Sequence, residues 1–284
     1  MIPKSIGNRT VLFSCLTGSY NYNLNTPTSD KDYHIFVCPA FDDLYYGTML
    51  TKQYITDEED LMVYDVRRIP ELLWKSNPSF IEVLYTKELV VEDRITGDDR
   101  LDGSVKHGIR ELIAHRDEFA RMNLPYLWDA CIGIFLNKTK NYIRGTAGTS
   151  GLVRKYGYDT KQVMHAIRGL WILQRYAENG FGSFGDAIWF EGEDREYLLS
   201  IKEGRYTIDQ AADAMDRKFR ELERYKPLYK EQKSNEDSRE LLDSIVRDMV
   251  ADMTFIELSR VRGHLDEEMT LRIRYSEGFR WNMR

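Results

Sequence analysis

The chain contains few cysteines, no long hydrophobic run and no excess of positive charge. Its three cysteines, Cys15, Cys38 and Cys131, are far apart in the 284 residues and lie in apolar surroundings. This spacing argues against a disulfide framework or a cysteine zinc site and indicates reduced core residues. Charged residues interrupt the apolar segments before they reach membrane-spanning length, and the first ten residues lack the apolar core of a secretion signal. We therefore expect a cytoplasmic protein without a membrane partner.

The overall charge is mildly acidic, with 46 acidic and 40 basic side chains and a net charge of −6. Proteins that coat nucleic acid without sequence preference are usually basic. The composition therefore argues against non-specific nucleic-acid binding, although it leaves room for a local basic groove that holds a nucleotide or an RNA end. The hydrophobic fraction of 42% is typical of a globular chain of one large or two modest domains.

The pattern of apolar residues changes at about residue 105. Before this point, short apolar runs alternate with turn residues, which predicts strands and short helices. The predicted strands are residues 10–17, 32–38, 60–64 and 86–91, and the predicted short helices are residues 40–47, 66–75 and 78–85. After it, apolar residues recur at every third or fourth position, which predicts a mostly helical second part. The predicted helices are residues 106–121, 125–144, 159–178, 193–203, 207–231 and 236–260.

The segment around Asp30 and Asp32 is the most informative of the chain. Residues 32–39 are typical of a strand, and strand residues two apart project from the same face, so both carboxylates project together. Hard divalent cations such as Mg²⁺ prefer carboxylate oxygens, and metals held in this way support in-line phosphoryl chemistry. Gly18 and Ser19, upstream between two strand-like runs, strengthen this interpretation. The alternative is a structural turn, because Asp also caps and bends the backbone.

From Gly18 to Val37 the sequence GSYNYNLNTPTSDKDYHIFV resembles the nucleotidyltransferase (DNA polymerase beta-like) superfamily. Within it, the chain is most similar to the predicted nucleotidyltransferases associated with RNA ligases. Further matches follow in the same order, namely DVRR at 65–68, NPSFIEVL at 77–84 and GYDTK at 157–161, then His165 and Arg168. The resemblance covers roughly residues 11–225. Asn23 stands where the family usually has glycine, so we expect a loop less able to adopt a positive φ there.

The resemblance implies an α+β fold, in which residues 1–100 form a small mixed β-sheet nucleotidyltransferase domain with flanking helices. Residues 101–284 would form a mostly α-helical domain that closes the nucleotide and acceptor cleft. The implied reaction transfers a nucleoside monophosphate from an NTP to an acceptor hydroxyl or phosphate and releases pyrophosphate. Asp30 and Asp32 would hold Mg²⁺, or Mn²⁺ in its place, while Gly18 and Ser19 would offer N–H groups and a hydroxyl to the phosphates.

A third carboxylate normally completes such a site, and both Asp60 and Asp65 are candidates. Their odd spacing puts them on opposite faces of a regular strand, so only one of them joins the site. We favour Asp60, at the start of the third strand, as the third catalytic and metal-binding residue. The alternatives are a charge in a solvated acidic run at 57–59 for Asp60 and a helix N-cap for Asp65.

A second group of candidates is predicted to contact the phosphates of the nucleotide. It consists of Lys155, Tyr158, Lys161, His165 and Arg168. The last three are spaced by four and three residues and share one helix face, near a helix start that Asp159 or Thr160 caps. Cationic side chains near a helix start form a phosphate-binding surface. The alternative is a surface stripe with the histidine packed against a neighbouring helix.

The sequence leaves the acceptor open, as RNA or tRNA, a small molecule or a protein, and does not give the preferred base or the oligomeric state. A catalytically silent nucleotide- or RNA-binding sensor on the same fold is the alternative function. Two residues receive no catalytic role. Glu82 lies on an apolar helix, where it would bind a backbone end or an arginine, and His34 shares the strand face of Asp32 but is interpreted as structural.

Overall fold

A six-stranded sheet forms the first part of the computed structural model, which describes residues 3–55, 59–91, 95 and 99–275. The strands are β1 (Ser5–Ile6), β2 (Arg9–Thr17), β3 (Lys31–Val37), β4 (Thr51–Ile55), β5 (Glu59–Asp65) and β6 (Leu89–Val91). Their order is β1-β2-β3-β5-β4, and β6 also pairs with β2. Only β3 and β5 run parallel, and the other pairs are antiparallel. The sheet is therefore mixed.

Helices make up most of the remaining described chain. They are α1 (Phe41–Tyr46), α2 (Ile69–Trp74), α3 (Pro78–Ile81), α4 (Asp99–Ala114), α5 (Arg116–Arg121), α6 (Leu124–Asn141), α7 (Ser150–Tyr156), α8 (Thr160–Glu178), α9 (Phe184–Ile188), α10 (Gly192–Lys202), α11 (Ile208–Leu222), α12 (Lys226–Lys230) and α13 (Glu236–Tyr275). Among the described helices, none is long and apolar enough to span a bilayer. The predicted α+β class, with a small N-terminal sheet followed by helices, is confirmed.

Helix α8 is the centre of the helical part and lies against α6, α10 and α11. Its start is fixed by Asp159, whose Oδ1 accepts a hydrogen bond from the Gln162 amide at 3.1 Å. Its buried side chains, such as Val163, Ile167 and Leu170, recur at helical spacing. They belong to one core that also includes Phe36 of β3, and the first turns of α8 line the same cleft as Asp32. This packing brings the helical part to the start of β3.

The structure differs from the predicted elements at exposed or interrupted segments. Strand β4 was not predicted, because it is a polar edge strand that pairs only with β5 and is mostly exposed. The helix predicted at 106–121 begins earlier and is divided into α4 and α5, and the helix predicted at 207–231 is interrupted by a 3₁₀ turn at Glu223–Tyr225. Helix α7 was also missed. The domain division at residue 100 stays a prediction, and residues 57 and 58 of the acidic run lie outside the described residues.

Candidate active site

A glycine turn at the end of β2 shapes one wall of the candidate site. Gly18 has a φ of 70°, in the left-handed region that favours glycine. Because Thr17 pairs with Asp32 across the β2–β3 ladder, the turn lies directly beside the Asp32 carboxylate. A Cβ atom at position 18 would overlap with Asp32 Oδ2. The site therefore requires glycine here both for the backbone conformation and for the space that Asp32 occupies.

Three carboxylates gather at the starts of β3 and β5. Asp32 and Asp60 are partners in the parallel ladder and therefore project from the same face, and Asp30 precedes β3. Gln53 on β4 orients Asp60 by donating its Nε2 hydrogens to both carboxylate oxygens, at 2.9 and 2.8 Å. Burial, followed by the negative charges of Asp60 and Asp30, raises the pKa of Asp32 to about 6. Asp32 is thus close enough to Asp60 and to Asp30 to be repelled electrostatically by both.

The chemistry of this donor set fits a divalent cation. Hard cations such as Mg²⁺ prefer carboxylate oxygens, and a positive ion would relieve the repulsion that, after burial, raises the pKa of Asp32. Within the described ranges, however, no three His, Cys, Asp or Glu side chains stand close enough to form a closed metal site. The carboxylates of Asp30, Asp32 and Asp60 would have to draw together around an ion.

A cleft of about 590 Å³ separates these carboxylates from a cationic wall. Lys161 and Arg168 project from α8, and Lys202 comes from the end of α10. None of the three has a carboxylate within salt-bridge distance in the part of the chain that the structure describes. The Arg168 guanidinium stacks on the Tyr22 ring, with its Cζ 3.7 Å from the centroid. This wall can accept an anion.

His165 lies in the middle of the cationic wall and lines the cleft. Burial, and then the positive charges of Arg168, Lys138, Lys202 and Lys161, hold its pKa well below the usual value. The imidazole is therefore neutral at pH 7 and adds no charge of its own. It can offer a hydrogen bond to a phosphate oxygen without adding to the repulsion among the neighbouring cations.

Glu82 is a buried residue that lies near both the glycine turn and Arg168 of the cationic wall. Its side chain is buried, and Oε2 accepts a hydrogen bond from the Gly18 amide at 3.1 Å. Burial raises the pKa of Glu82 to about 8, although the nearby Arg168 guanidinium opposes the shift. The Gly18 N–H is therefore already engaged, which differs from the expectation that it contacts phosphate. Ser19 lines the cleft and keeps its hydroxyl available for that contact.

Several sequence-predicted residues do not reach the cleft. Lys155 is exposed and places its ammonium 4.7 Å from the Tyr156 ring centroid. Tyr158 is buried in the core, where its hydroxyl donates to the Tyr206 carbonyl at 2.9 Å.

The expectation that the loop at Asn23 is less able to adopt a positive φ was wrong, since this residue has a φ of 54°. Asparagine tolerates the left-handed region better than most residues, and the Asn23 side chain also donates to the Phe190 carbonyl at 2.8 Å.

Asp65 lies at the far end of β5 and outside the cleft lining, so the geometry favours Asp60 as the third carboxylate. Its buried carboxylate caps the following 3₁₀ turn through the Arg67 amide and forms an ion pair with the Arg67 guanidinium at 2.7 Å. We expect Asp65→Asn to lower the free energy of unfolding by about 3 kcal/mol, because it leaves a partly buried arginine without its counter-ion. Urea denaturation at neutral pH measures this. An unchanged midpoint would contradict the structural role.

The raised pKa of Glu82 predicts a pH-dependent stability that Glu82→Gln removes. The folded-state pKa of about 8 lies above the usual value of 4.5, so the folded state binds the extra proton. Its contribution to stability is complete below the unfolded-state pKa and is lost as the pH rises through the folded-state pKa. Between about pH 5 and about pH 8, the free energy of unfolding of the wild type should therefore fall by on the order of 3 kcal/mol more than that of Glu82→Gln. Urea denaturation across this range tests it, and parallel pH profiles would count against it.

Sequence reasoning missed Gln53 and Lys202 as site residues. It gave Glu82 no catalytic role and expected it to bind a backbone end or an arginine, and the structure shows it bound to the Gly18 amide with Arg168 nearby. Gln53 belongs to the unpredicted strand β4. Lys202 ends a helix more than thirty residues beyond Arg168, and only the packing of α10 against α8 brings the two residues together.

Comparison with known proteins agrees with this geometry. The family model described as "RlaP: RNA repair pathway DNA polymerase beta family" matches residues 4–180, well over half of the chain. The matched range contains the glycine turn, the three carboxylates and the cleft-lining face of α8, whereas Lys202 lies beyond it. The search of curated proteins finds no match to this chain. Since the family model matches more than half of the chain, the chain belongs to the RNA repair pathway DNA polymerase beta family, whose members are of the nucleotidyltransferase type.

Proposed function

We propose that this chain is a Mg²⁺-dependent nucleotidyltransferase that transfers a nucleoside monophosphate from an NTP to an acceptor hydroxyl or phosphate. The observation that carries the proposal is the pairing of three carboxylates with a facing cationic wall across one cleft. An NTP needs both features, because its phosphates are highly charged. Their charge must be neutralised before an acceptor oxygen can approach the reacting phosphorus. The family match supports the same class of reaction.

Asp30, Asp32 and Asp60 would hold Mg²⁺, with Mn²⁺ as a substitute. When bound, the metal neutralises the phosphates and the charge that develops during transfer. The chain itself supplies the rest of the phosphate site. Lys161, Arg168 and Lys202 would bind the β- and γ-phosphate oxygens, and Ser19 would donate its hydroxyl.

The bond changes define what the carboxylates must do. An acceptor oxygen bonds to the α-phosphorus, while the bond from that phosphorus to the oxygen bridging to the β-phosphate breaks, and pyrophosphate leaves with the electron pair. When the acceptor is a hydroxyl, its proton must go to a base. Asp60 is suited to receive it, because Gln53 fixes the carboxylate orientation at the edge of the cleft.

We propose an RNA end as the acceptor, since the family description names an RNA repair pathway. The net charge of −6 opposes extensive contact with an RNA backbone. Recognition would then rest on the terminal nucleotides near the cleft. A small molecule or a protein as acceptor would be distinguished by the assay below.

The test is release of pyrophosphate from each of the four labelled NTPs, with Mg²⁺ or Mn²⁺ and with RNA, small-molecule alcohols or protein as acceptor. We expect release that EDTA abolishes and that Asp60→Asn lowers strongly, while the exposed surface variant Asp42→Asn behaves as wild type. NTP binding without turnover across all acceptors would instead favour the catalytically silent sensor.

A further inference from the structure

The cleft continues past the carboxylates into an aromatic recess. We define this aromatic recess by His34, Met62, Tyr64, Leu72 and Phe80, all of which line the same cavity as the carboxylates. Two strands supply its floor. His34 follows Asp32 by two residues, and Met62 and Tyr64 follow Asp60 by two and four, so strand alternation places them on the face of the carboxylates.

The Tyr64 ring stands nearly perpendicular to the other two rings of the aromatic recess, His34 and Phe80, which are tilted by 31° to each other. Tyr64 meets His34 at 72° with centroids 5.1 Å apart, and it meets Phe80 at 88° with centroids 5.6 Å apart. Such edge-to-face pairs are favourable, and the Tyr64 ring also stacks with Phe36, with centroids 5.9 Å apart and an angle of 22°. Tyr64 and His34 are only partly buried, whereas Phe80 is almost completely buried. The recess therefore presents flat apolar surface to the cleft.

His34 adds an unsatisfied polar atom to this surface. Its Nδ1 is buried and has no hydrogen-bond partner among the described residues. Buried polar atoms normally have a partner in the protein, in water or in a ligand. A flat ligand with ring nitrogen atoms and exocyclic groups suits this surface, because it could cover the apolar rings and also form a hydrogen bond with His34 Nδ1.

The two ends of the cleft differ in the charge that they offer. The cationic wall comes from α8 and α10, which carry Lys161, Arg168 and Lys202. The aromatic recess follows the carboxylates along the two parallel strands, because His34 and Met62 lie two residues beyond Asp32 and Asp60. The cleft thus offers a cationic side for phosphates and an aromatic end for a base, as a nucleotide requires.

We propose that the aromatic recess is a nucleobase-binding subsite, in which a base stacks on Tyr64 beside the carboxylates. This inference rests on the proposed function, since it assumes that a nucleotide occupies the cleft. The base belongs either to the NTP, whose phosphates occupy the cationic wall, or to the terminal residue of the acceptor. Any base can stack on an aromatic side chain. The subsite therefore distinguishes nucleotides from phosphates without a base, and it discriminates little among the four bases.

Equilibrium binding to the full chain tests the proposal without turnover. The ligands are the four NTPs, inorganic triphosphate, and a short oligoribonucleotide with and without its terminal base. Tyr64→Leu removes the stacking ring, and Tyr64→Phe keeps it. Leu72→Trp, at a partly exposed position, fills the recess without removing any ring. Thermal unfolding of each variant confirms that it is folded.

We expect Tyr64→Leu and Leu72→Trp to weaken binding about tenfold or more for the ligand whose base stacks, while Tyr64→Phe restores it. Inorganic triphosphate should bind all variants alike. If the variants bind the NTPs more weakly, the stacked base is that of the NTP. If they bind only the oligoribonucleotide with its terminal base more weakly, the stacked base is that of the acceptor. If both variants bind every ligand as wild type does, the subsite is refuted. Base-dependent binding without any pyrophosphate release would leave the subsite standing and remove the transferase proposal.

Discussion

Replacing Asp32 with asparagine is expected to lower the rate of pyrophosphate release by about a thousandfold or more. Asp32 is the carboxylate nearest to the other two acids and to the glycine turn, and Lys161 faces it across the cleft. Asparagine has nearly the same shape but carries no charge, so the site loses its central anionic oxygen. The NTP should still bind through the cationic wall, because Lys161, Arg168 and Lys202 are unchanged.

The measurement combines single-turnover pyrophosphate release with titration of Mn²⁺ and of an NTP. Asp42→Asn serves as the matched control, since it makes the same substitution at an exposed position in the first turn of α1. The predicted pattern is a large loss of rate and of metal affinity with little loss of NTP affinity in EDTA. A variant that keeps its rate within about tenfold would show that Asp32 is dispensable, and the assignment of the three-carboxylate site would fail.

The sequence predicted the carboxylates by a local rule and left their third member open for a physical reason. The two-residue spacing is enough to bring together Asp30, just before β3, and Asp32, near the start of the strand. The pairing of Asp32 with Asp60 depends on β3 and β5 becoming parallel neighbours, with α1 and β4 between them in the chain. Strand register between distant segments is set by tertiary packing, which no local pattern reports.

The same distinction explains the cationic wall. Helical spacing correctly put Lys161, His165 and Arg168 on one face, and the structure brings that face to the cleft. Lys155 and Tyr158 precede the helix and were grouped with it only by proximity in sequence. Gly157, with a φ of 82°, ends α7 in the left-handed region and turns the chain, so these two side chains leave in other directions.

Long helices and buried strands were predicted better than short or exposed elements. Helix α8 was predicted at 159–178 and is observed at Thr160–Glu178, because its apolar periodicity and its capping residue agree. Strand β4 shows the opposite case, since a polar edge strand lacks the alternation that identifies a half-buried one. Its omission had a functional consequence, because β4 supplies Gln53, which orients Asp60.

The second large effect is expected for Gly18→Ala, which adds only a methyl group to the glycine turn. The new Cβ would overlap with Asp32 Oδ2, so either the carboxylate or the turn must move. Movement of the turn would also disturb the hydrogen bond from the Gly18 amide to Glu82. We expect pyrophosphate release to fall by about a hundredfold, because catalytic groups lose efficiency steeply when they are displaced by about an ångström.

Gly47→Ala separates this displacement from the cost of the backbone conformation. Gly47 ends α1 with a φ of 67°, close to the 70° of Gly18, but a Cβ there would meet no atom within 4 Å. Both substitutions should therefore lower the free energy of unfolding by about 1 kcal/mol from the positive φ alone. Only Gly18→Ala should also reduce the rate, as thermal unfolding and single-turnover assays on both variants would reveal. Equal rates for the two variants would mean that the close approach of the turn to Asp32 has no catalytic consequence, and the glycine would then serve the backbone conformation alone.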